Sequence, residues 1–338
     1  MKLRDCVLDA IHHRQPPSIP YTLPMDREVQ EAVDAHYGHK EWRTRIKPYI
    51  VYVNAVDTDW QEPIAPGKVR DAYGGIWRTD QRPWHLETPP LAEPTFDGYT
   101  FPKAEKFYRP DWKTEARAIM AANPDSFIVA NLGWGLFERS WNLRGYENAL
   151  MDALAEPEFF EEMLERLMGL YLDFVRYTVD LPVDAILFGD DWGDQRGITI
   201  GADRWRNMIK PRWAKIYAEV HRAGKHVMHH SCGSVAELLP DAIEIGMDVL
   251  ESCQPEAAGM TPYDLKRKFG DKIAFWGCLG SQSIIPHGTP AQLQAEIRKL
   301  RSEMGRGGGY ILAPAKPLQP ETPTANAVAI LEAFTEPN

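Results

Sequence analysis

The stretch Lys225-His-Val-Met-His-His-Ser-Cys-Gly-Ser234 decides the fold, because a short strand lies directly between two amphipathic helices predicted at 202–223 and 235–245. Strand alternation directs His230 and Cys232 to the same side, at the carboxyl end of the strand. Parallel α/β folds collect their functional residues at this end. An imidazole and a thiol at this spacing form half of a zinc site. The alternative interpretation is a packed histidine beside a small buried thiol.

The same strand–helix alternation recurs along the chain. Besides the quoted strand, apolar segments predict strands at 19–24, 50–56, 127–132, 184–189, 248–252, 272–277 and 309–314. Repeated βα units predict a parallel sheet buried on both faces, and eight of them predict a (β/α)₈ TIM barrel. A helix at 3–14 precedes the first strand as an N-terminal extension. A doubly wound sheet is the competing α/β fold, but no Gly-x-Gly-x-x-Gly motif opens a helix.

Residues 57–110 interrupt this pattern with prolines, glycines and aromatic residues. Alternating residues on both sides of Gly74-Gly75 predict a β-hairpin. We interpret this segment as an insertion and expect residues 1–338 to form a single barrel domain.

The composition is typical of a globular protein, with 44% hydrophobic and 25% charged residues. The net charge of −10, with no basic stripe, argues against a nucleic-acid partner. No apolar run is long enough for a membrane span, and the first residues lack the apolar core of a signal peptide. Four scattered cysteines are too few for a disulfide framework. These features predict a cytoplasmic protein.

The predicted strand ends carry most of the polar candidates. Asp190 and Asp191 follow one strand and form either a proton-transferring carboxylate pair, a metal or substrate anchor, or a turn cap. Lys316, between two prolines, binds a substrate carboxylate or is a solvated loop charge. Cys253 lies at the end of the strand that follows the quoted one. It is either a functional thiol or a small residue packed in the core.

A second set of residues predicts the walls of a cavity. Asn131 and Trp134 end one strand, and Trp192 follows another. Tryptophans at strand ends suggest aromatic walls around a small substrate, as well as core filling. Arg139 follows the bend at residues 133–135. It either binds an anion or forms an ion pair with an acidic side chain at the protein surface.

Several of these motifs together resemble the uroporphyrinogen decarboxylase superfamily, in its corrinoid-linked methyltransferase branch. The matching segments are Arg144-Gly-Tyr-Glu147, Gly189-Asp-Asp-Trp-Gly193, His230-Ser-Cys-Gly233, Gly270-Asp-Lys272 and Gly307-Gly-Gly-Tyr-Ile-Leu-Ala-Pro314. The resemblance implies a (β/α)₈ barrel, a zinc ion on the H-x-C pair and on a last-strand cysteine, methyl exchange with cobalamin on a partner protein, and a homodimer.

The chain departs from this pattern at the last strand, which ends in Ala313-Pro-Ala-Lys316 without a cysteine. Cys253 is the candidate replacement ligand, with Glu251 or Asp191 as an oxygen donor. If Cys253 binds the metal, its sulfur should lie near that of Cys232 and Lys316 should point away. The segment at 14–26 contains one arginine, which disfavours a tetrapyrrole decarboxylase, because the substrate's carboxylates would lack partners.

We therefore expect a methyltransferase or demethylase that passes a methyl group between a small substrate and a corrinoid protein. The alternatives are a decarboxylase or lyase on a small carboxylate, and a non-catalytic binding barrel. The expected roles are catalytic for Asp190, Asp191 and Lys316, substrate-binding for Asn131, Trp134, Trp192 and Arg139, and metal-binding for His230, Cys232 and Cys253.

Overall fold

A computed structural model describes residues 2–336, and two β-sheets form within this range. The strands are β1 (Ile50–Val53), β2 (Gln61–Ala65), β3 (Lys68–Asp71), β4 (Ile76–Arg78), β5 (His85–Thr88), β6 (Phe127–Trp134), β7 (Ala185–Gly189), β8 (His226–His230), β9 (Val249–Ser252), β10 (Ala274–Leu279) and β11 (Tyr310–Pro314).

The larger sheet is parallel and has seven strands in the order β1-β6-β7-β8-β9-β10-β11. Each strand thus lies beside the next one of the series, as expected for successive βα units. The sheet is curled, because Tyr52 of β1 stacks with Trp276 of β10 at a ring-centroid distance of 6.5 Å. Strands β7, β10 and β11 are buried throughout. The predicted α/β fold with a parallel sheet is confirmed.

The strand predicted at 19–24 is wrong as a continuous strand. Tyr21 forms an isolated parallel bridge to Leu312 of β11, with Thr22 donating its amide to Leu312 and Leu312 donating to Pro20. Pro20 and Pro24 have no N–H group and cannot donate to a ladder. The segment therefore lies along the edge of β11 without extending the sheet as a strand.

Helices follow most strands of the parallel sheet and cover its outer face. They are α1 (Leu3–Ile11), α2 (Arg27–Tyr37), α3 (Pro110–Ala122), α4 (Leu136–Arg144), α5 (Tyr146–Ala155), α6 (Pro157–Thr178), α7 (Ala202–Arg204), α8 (Lys210–Arg222), α9 (Leu239–Glu244), α10 (Pro262–Phe269), α11 (Ile284–His287), α12 (Pro290–Lys299) and α13 (Thr324–Thr335).

Local sequence explains several helix boundaries. A π turn at Trp205–Ile209 joins α7 to α8, so the helix predicted at 202–223 is one continuous segment with an irregular turn. Proline occupies the first turn of α6 and α12, where its missing N–H group costs no hydrogen bond. Across residues 2–336, none of the helices combines the length and apolar character needed to cross a bilayer.

The insertion forms a second, antiparallel sheet in the order β2-β3-β4-β5, larger than the predicted hairpin. Asp71 stabilises the turn between β3 and β4, because its carboxylate accepts the amides of Tyr73 and Gly75 and the indole N–H of Trp77. The chain beyond β5 is held by Arg144 of α4, which donates to the carbonyl oxygen of Leu91. The insertion is thereby anchored to α4, the helix that follows β6.

Candidate metal centre and adjoining pocket

Three metal-ligating side chains meet at the carboxyl ends of β7 and β8. The register pairs Gly189 of β7 with His230 of β8, so the residues that follow these strands are neighbours. Ligand atoms of Asp191, His230 and Cys232 all lie within 4.8 Å of one another. Nε2 of His230 is 3.3 Å from Sγ of Cys232 and 3.4 Å from Oδ1 of Asp191. The H-x-C pair predicted from the sequence is thus joined by one of the two predicted aspartates.

Two glycines allow the loops that carry these side chains to touch. Gly233 has a φ of 79°, and a Cβ atom there would lie 2.4 Å from the carbonyl oxygen of Gly193. A Cβ atom on Gly193 would in turn lie 2.7 Å from the carbonyl oxygen of Ser234. Such distances are far inside van der Waals contact, so both positions require glycine. The close approach lets the Cys232 amide donate to Oδ1 of Asp191 at 2.7 Å.

Glu251 at the end of β9 contacts the opposite side of the imidazole. Its carboxylate forms a hydrogen bond with Nδ1 of His230, which leaves Nε2 directed at Cys232 and Asp191. Burial lowers the pKa of His230, but the charge of Glu251 and the hydrogen bonds with Asp191, Cys232 and Glu251 outweigh it and hold the pKa well above its usual value. Glu251 therefore fixes the orientation of the ring.

Asp191 is held in its charged form. Burial raises its pKa, yet the hydrogen bond and charge of His230, the Cys232 amide and the charge of Lys316 outweigh burial and lower the pKa. A carboxylate, a thiol and an imidazole nitrogen lie side by side, and all three are donors that zinc accepts. The donor set therefore fits a zinc ion with three protein ligands, and such a site leaves a fourth position for a substrate.

Asp190 lies in the core and not in the cluster. Its carboxylate accepts hydrogen bonds from the Glu138 amide in the first turn of α4 and from the indole N–H groups of Trp192 and Trp213. Burial raises its pKa to about 6 against these hydrogen bonds. A side chain with this many partners and no exposure is a cap for α4 and an anchor for two indoles. The sequence-based prediction that Asp190 and Asp191 act as a proton-transferring pair is not supported by this arrangement.

Glu138 is a site residue that the sequence analysis missed. It lies in the first turn of α4 and is only 7% exposed. Burial and the charges of Asp191 and Asp190 raise its pKa to about 8. Burial and these two nearby carboxylates therefore favour the protonated, neutral form of the Glu138 carboxyl group. No local motif marks it, because its surroundings arise from the pairing of β6 with β7.

Trp192 does not line a cavity, contrary to the sequence-based expectation. The side chain is buried, stacks on His229 at a centroid distance of 4.3 Å and contacts Trp205 at 4.8 Å. Its indole N–H group is bound by Asp190. Because it follows Asp191 directly, Trp192 points to the opposite side of the loop and fills the core.

Cys253 is also separate from the cluster, which corrects its predicted role as a metal ligand. The thiol is fully buried and interacts with the thiol of Cys278. Strand β9 ends at Ser252, and Cys253 has a φ of 41°, so strand alternation does not extend to it. The side chain therefore does not share a face with Glu251. The cysteine predicted to replace the missing last-strand ligand is a core residue.

Asn131, Trp134 and Arg139 lie on the insertion side of the cluster. The side-chain oxygen of Asn131 accepts the Gly133 amide, which makes it a turn residue. Trp134 is 42% exposed, and Arg139 is buried and paired with Asp59 at 3.0 Å. Trp134 and Arg139 line one pocket, and Asn131 is absent from its lining residues.

Lys316 is exposed at the loop after β11, and its charge lowers the pKa of Asp191. It borders a cavity of about 420 Å³ that includes Gln282 and His287. The predicted catalytic lysine thus lies on the same side of the sheet as the cluster.

Comparison with known proteins agrees with this architecture. The uroporphyrinogen decarboxylase (URO-D) family profile matches residues 141–337. Uroporphyrinogen decarboxylase of Pseudoalteromonas translucida is 22% identical over 191 residues, and that of Nocardia farcinica is 26% identical over 191 residues. Each alignment covers 54% of this chain and 50% of the relative, so the chain matches about half the length of these curated proteins.

A solved structure extends the similarity over the whole fold. A methyltransferase from Methanosarcina mazei superposes with a TM-score of 0.73, covering 99% of this chain and 98% of the other. The sequence identity is 18%, so the comparison shows a shared fold.

Proposed function

The chain belongs to the uroporphyrinogen decarboxylase family, and from this we propose that it is a metal-dependent methyltransferase acting between a small substrate and a corrinoid on a partner protein. The observation that supports the proposal is the cluster of Asp191, His230 and Cys232 at the carboxyl end of the sheet. The fold shared with a methyltransferase agrees with it. Zinc at this cluster would supply Lewis-acid activation of a thiol, methoxy oxygen or amine.

Two glutamates next to the cluster support this chemistry, one by orienting His230 and the other as a proton donor. Glu251 binds Nδ1 of His230 and keeps Nε2 available, as carboxylates do for many metal-bound histidines. Glu138 replaces Asp190 in our assignment of the proton donor, because burial favours the neutral form of the Glu138 carboxyl group, whereas the Asp190 carboxylate is engaged in three structural hydrogen bonds. A proton on the Glu138 carboxyl group is available to a substrate heteroatom near Asp191.

The proposal includes a single barrel of the (β/α)₈ type, in which residues 19–24 run along β11 as the eighth segment. It also includes a homodimer in a reducing cytoplasm, where the Cys232 thiol stays available to a metal. The corrinoid protein binds over the carboxyl ends of the strands, since the cluster lies there.

A second candidate function is a decarboxylase or lyase on a small carboxylate. Lys316 favours it, because an exposed ammonium group whose charge acts on Asp191 can bind a carboxylate substrate. The matched relatives are decarboxylases, which agrees with this alternative.

Methyl transfer from methylcobalamin to 2-mercaptoethanol tests the proposal. Zinc-loaded wild-type protein should convert methylcobalamin to cob(I)alamin, followed by absorbance under anaerobic conditions. Cys232→Ala should lose the activity, and the matched control Cys6→Ala, which lies in α1 away from the centre, should retain it. CO₂ release from small carboxylates that depends on Lys316, without methyl transfer, would support the lyase instead.

A further inference from the structure

A pocket between the insertion and the parallel sheet is lined by three tryptophans. Trp77 lies on β4, Trp84 precedes β5, and Trp134 ends β6. The cavity has a volume of about 490 Å³, within the range of about 300–1,000 Å³ that is usual for small-molecule sites. Trp84 and Trp134 are 49% and 42% exposed, which is unusual for this residue type. Exposed indoles around a cavity indicate a binding surface.

The angle between the rings favours a rounded ligand. Trp77 and Trp134 have centroids 6.3 Å apart and planes inclined by 63°. A flat arene can stack on one of these rings but not on both, because their faces are not parallel. A tetrahedral group, such as an ammonium nitrogen bearing methyl groups, can lie in the angle between the two rings and contact both of them.

The charges of the pocket favour a cation. Two acidic residues, Asp59 and Asp71, line the pocket, whereas Arg139 is the one basic residue in its lining. Arg139 is paired with Asp59 at 3.0 Å, and its Cζ lies 5.5 Å from the ring centroid of Trp134. Among residues 2–336, the hydrogen bonds to the Asp71 carboxylate come from neutral N–H groups, and no ion pair compensates its negative charge. The lining therefore has one uncompensated negative charge.

Asp71 also acts through Trp77. The indole N–H of Trp77 donates to Oδ2 of Asp71 at 2.7 Å. A carboxylate that accepts this hydrogen bond shifts electron density into the indole ring and makes its face more negative. Cations bind to the faces of aromatic rings through this negative potential, and tryptophan binds them best.

From the ring angle and the net negative charge, we propose that the pocket of Trp77, Trp84 and Trp134 binds the methylated ammonium group of a small cationic ligand. Trp134 pairs with Gly189, and Gly189 pairs with His230. Two strand spacings, about 10 Å, thus separate the backbones of Trp134 and His230. The pocket is a subsite for one end of a ligand whose other end reaches the cluster. That the ligand is the substrate rests on the proposed function, whereas binding itself does not.

Calorimetric titration with choline and with 3,3-dimethylbutan-1-ol tests the charge requirement. The two probes share a shape, but only choline has a positive charge. Choline should bind roughly tenfold more tightly than the neutral isostere, because only the cation gains from the ring faces and from Asp71. Equal affinities, or no choline binding by folded protein, would overturn the proposal.

Substitutions test the site. Trp134→Leu keeps an apolar side chain but removes the aromatic face, and it should abolish choline binding. Trp84→Leu should do the same and serves as a second test should the first variant misfold, as judged by circular dichroism. The matched control is Trp112→Leu on α3, outside the pocket, which should bind choline like the wild type. Undiminished binding by folded Trp134→Leu and Trp84→Leu would contradict the assignment.

One further variant separates this inference from the proposed function. Cys232→Ala removes a ligand of the candidate metal centre but none of the pocket residues. It should bind choline with wild-type affinity even though methyl transfer is lost. If methyl transfer fails in every protein while the choline preference persists, the proposed function is wrong and the pocket assignment stands.

Discussion

His230 and Glu251 form a hydrogen bond across adjacent strands, between Nδ1 of the imidazole and the carboxylate. This contact determines which ring nitrogen faces Asp191 and Cys232. Metal-binding histidines commonly donate their second N–H group to a carboxylate, which orients the ring and increases its basicity. Glu251 is therefore a positioning residue for the cluster.

Glu251→Gln should weaken zinc binding by about 10- to 100-fold, because the amide orients the imidazole less firmly and adds no negative charge. Competition with a chromophoric chelator measures the affinity. The control is Glu237→Gln, a largely exposed carboxylate that pairs with Arg206 and lies outside the cluster, which should bind zinc normally. Wild-type affinity in Glu251→Gln would mean that the contact does not support metal binding.

Asp190→Asn and Asp191→Asn should have opposite consequences although the residues are adjacent. Asparagine at 190 cannot accept both indole N–H groups and the Glu138 amide, so unfolding free energy should fall by about 1–3 kcal/mol with metal content retained. Asp191→Asn should lose the metal, because a neutral amide is a poor replacement for a carboxylate ligand of zinc. Urea denaturation and metal analysis measure both effects, and the reverse pattern would contradict the assignment.

Glu138→Gln should change how stability depends on pH. The pKa of Glu138 rises from 4.5 to about 8 on folding, so its contribution is fully present below pH 4.5 and is lost as pH rises towards 8. Glutamine remains neutral, so the variant should be more stable than the wild type above pH 8, and the difference should vanish below about pH 4.5.

Urea denaturation of metal-free protein across this pH range tests the prediction. The exposed control Glu147→Gln should follow the wild-type curve at every pH. A Glu138→Gln curve parallel to that of the wild type would show that Glu138 is not held neutral in the folded protein.

Much of the architecture could be predicted because strand and helix periodicity is local. Apolar strands alternating with helices predicted the parallel sheet, and the H-x-C spacing predicted that His230 and Cys232 lie together. The segment at 19–24 was predicted as a strand from its apolar residues, but Pro20 and Pro24 limit its pairing to isolated bridges.

The separate roles of residues that are neighbours in the sequence could not be predicted from sequence patterns alone. Strand alternation ends with the strand, so it misplaced Cys253, whose φ of 41° turns the chain. Asp190 and Asp191 are adjacent in the sequence, and only their contacts distinguish them. Asp190 caps α4 and binds an indole of α8, whereas Asp191 contacts the loop after β8 as a candidate metal ligand. The pKa of Glu138 is raised by burial and by the charges of Asp191 and Asp190, about 50 positions away in sequence, and no local pattern records either cause.

Metal content tests the central claim most directly. Wild-type protein expressed with zinc should contain about one equivalent per chain by inductively coupled plasma mass spectrometry, and Cys232→Ala should contain almost none. Cys253→Ala should retain the metal, because its thiol lies outside the cluster. A wild-type protein that contains no zinc and is unaffected by chelators, or a metal lost with Cys253 but not with Cys232, would contradict the account.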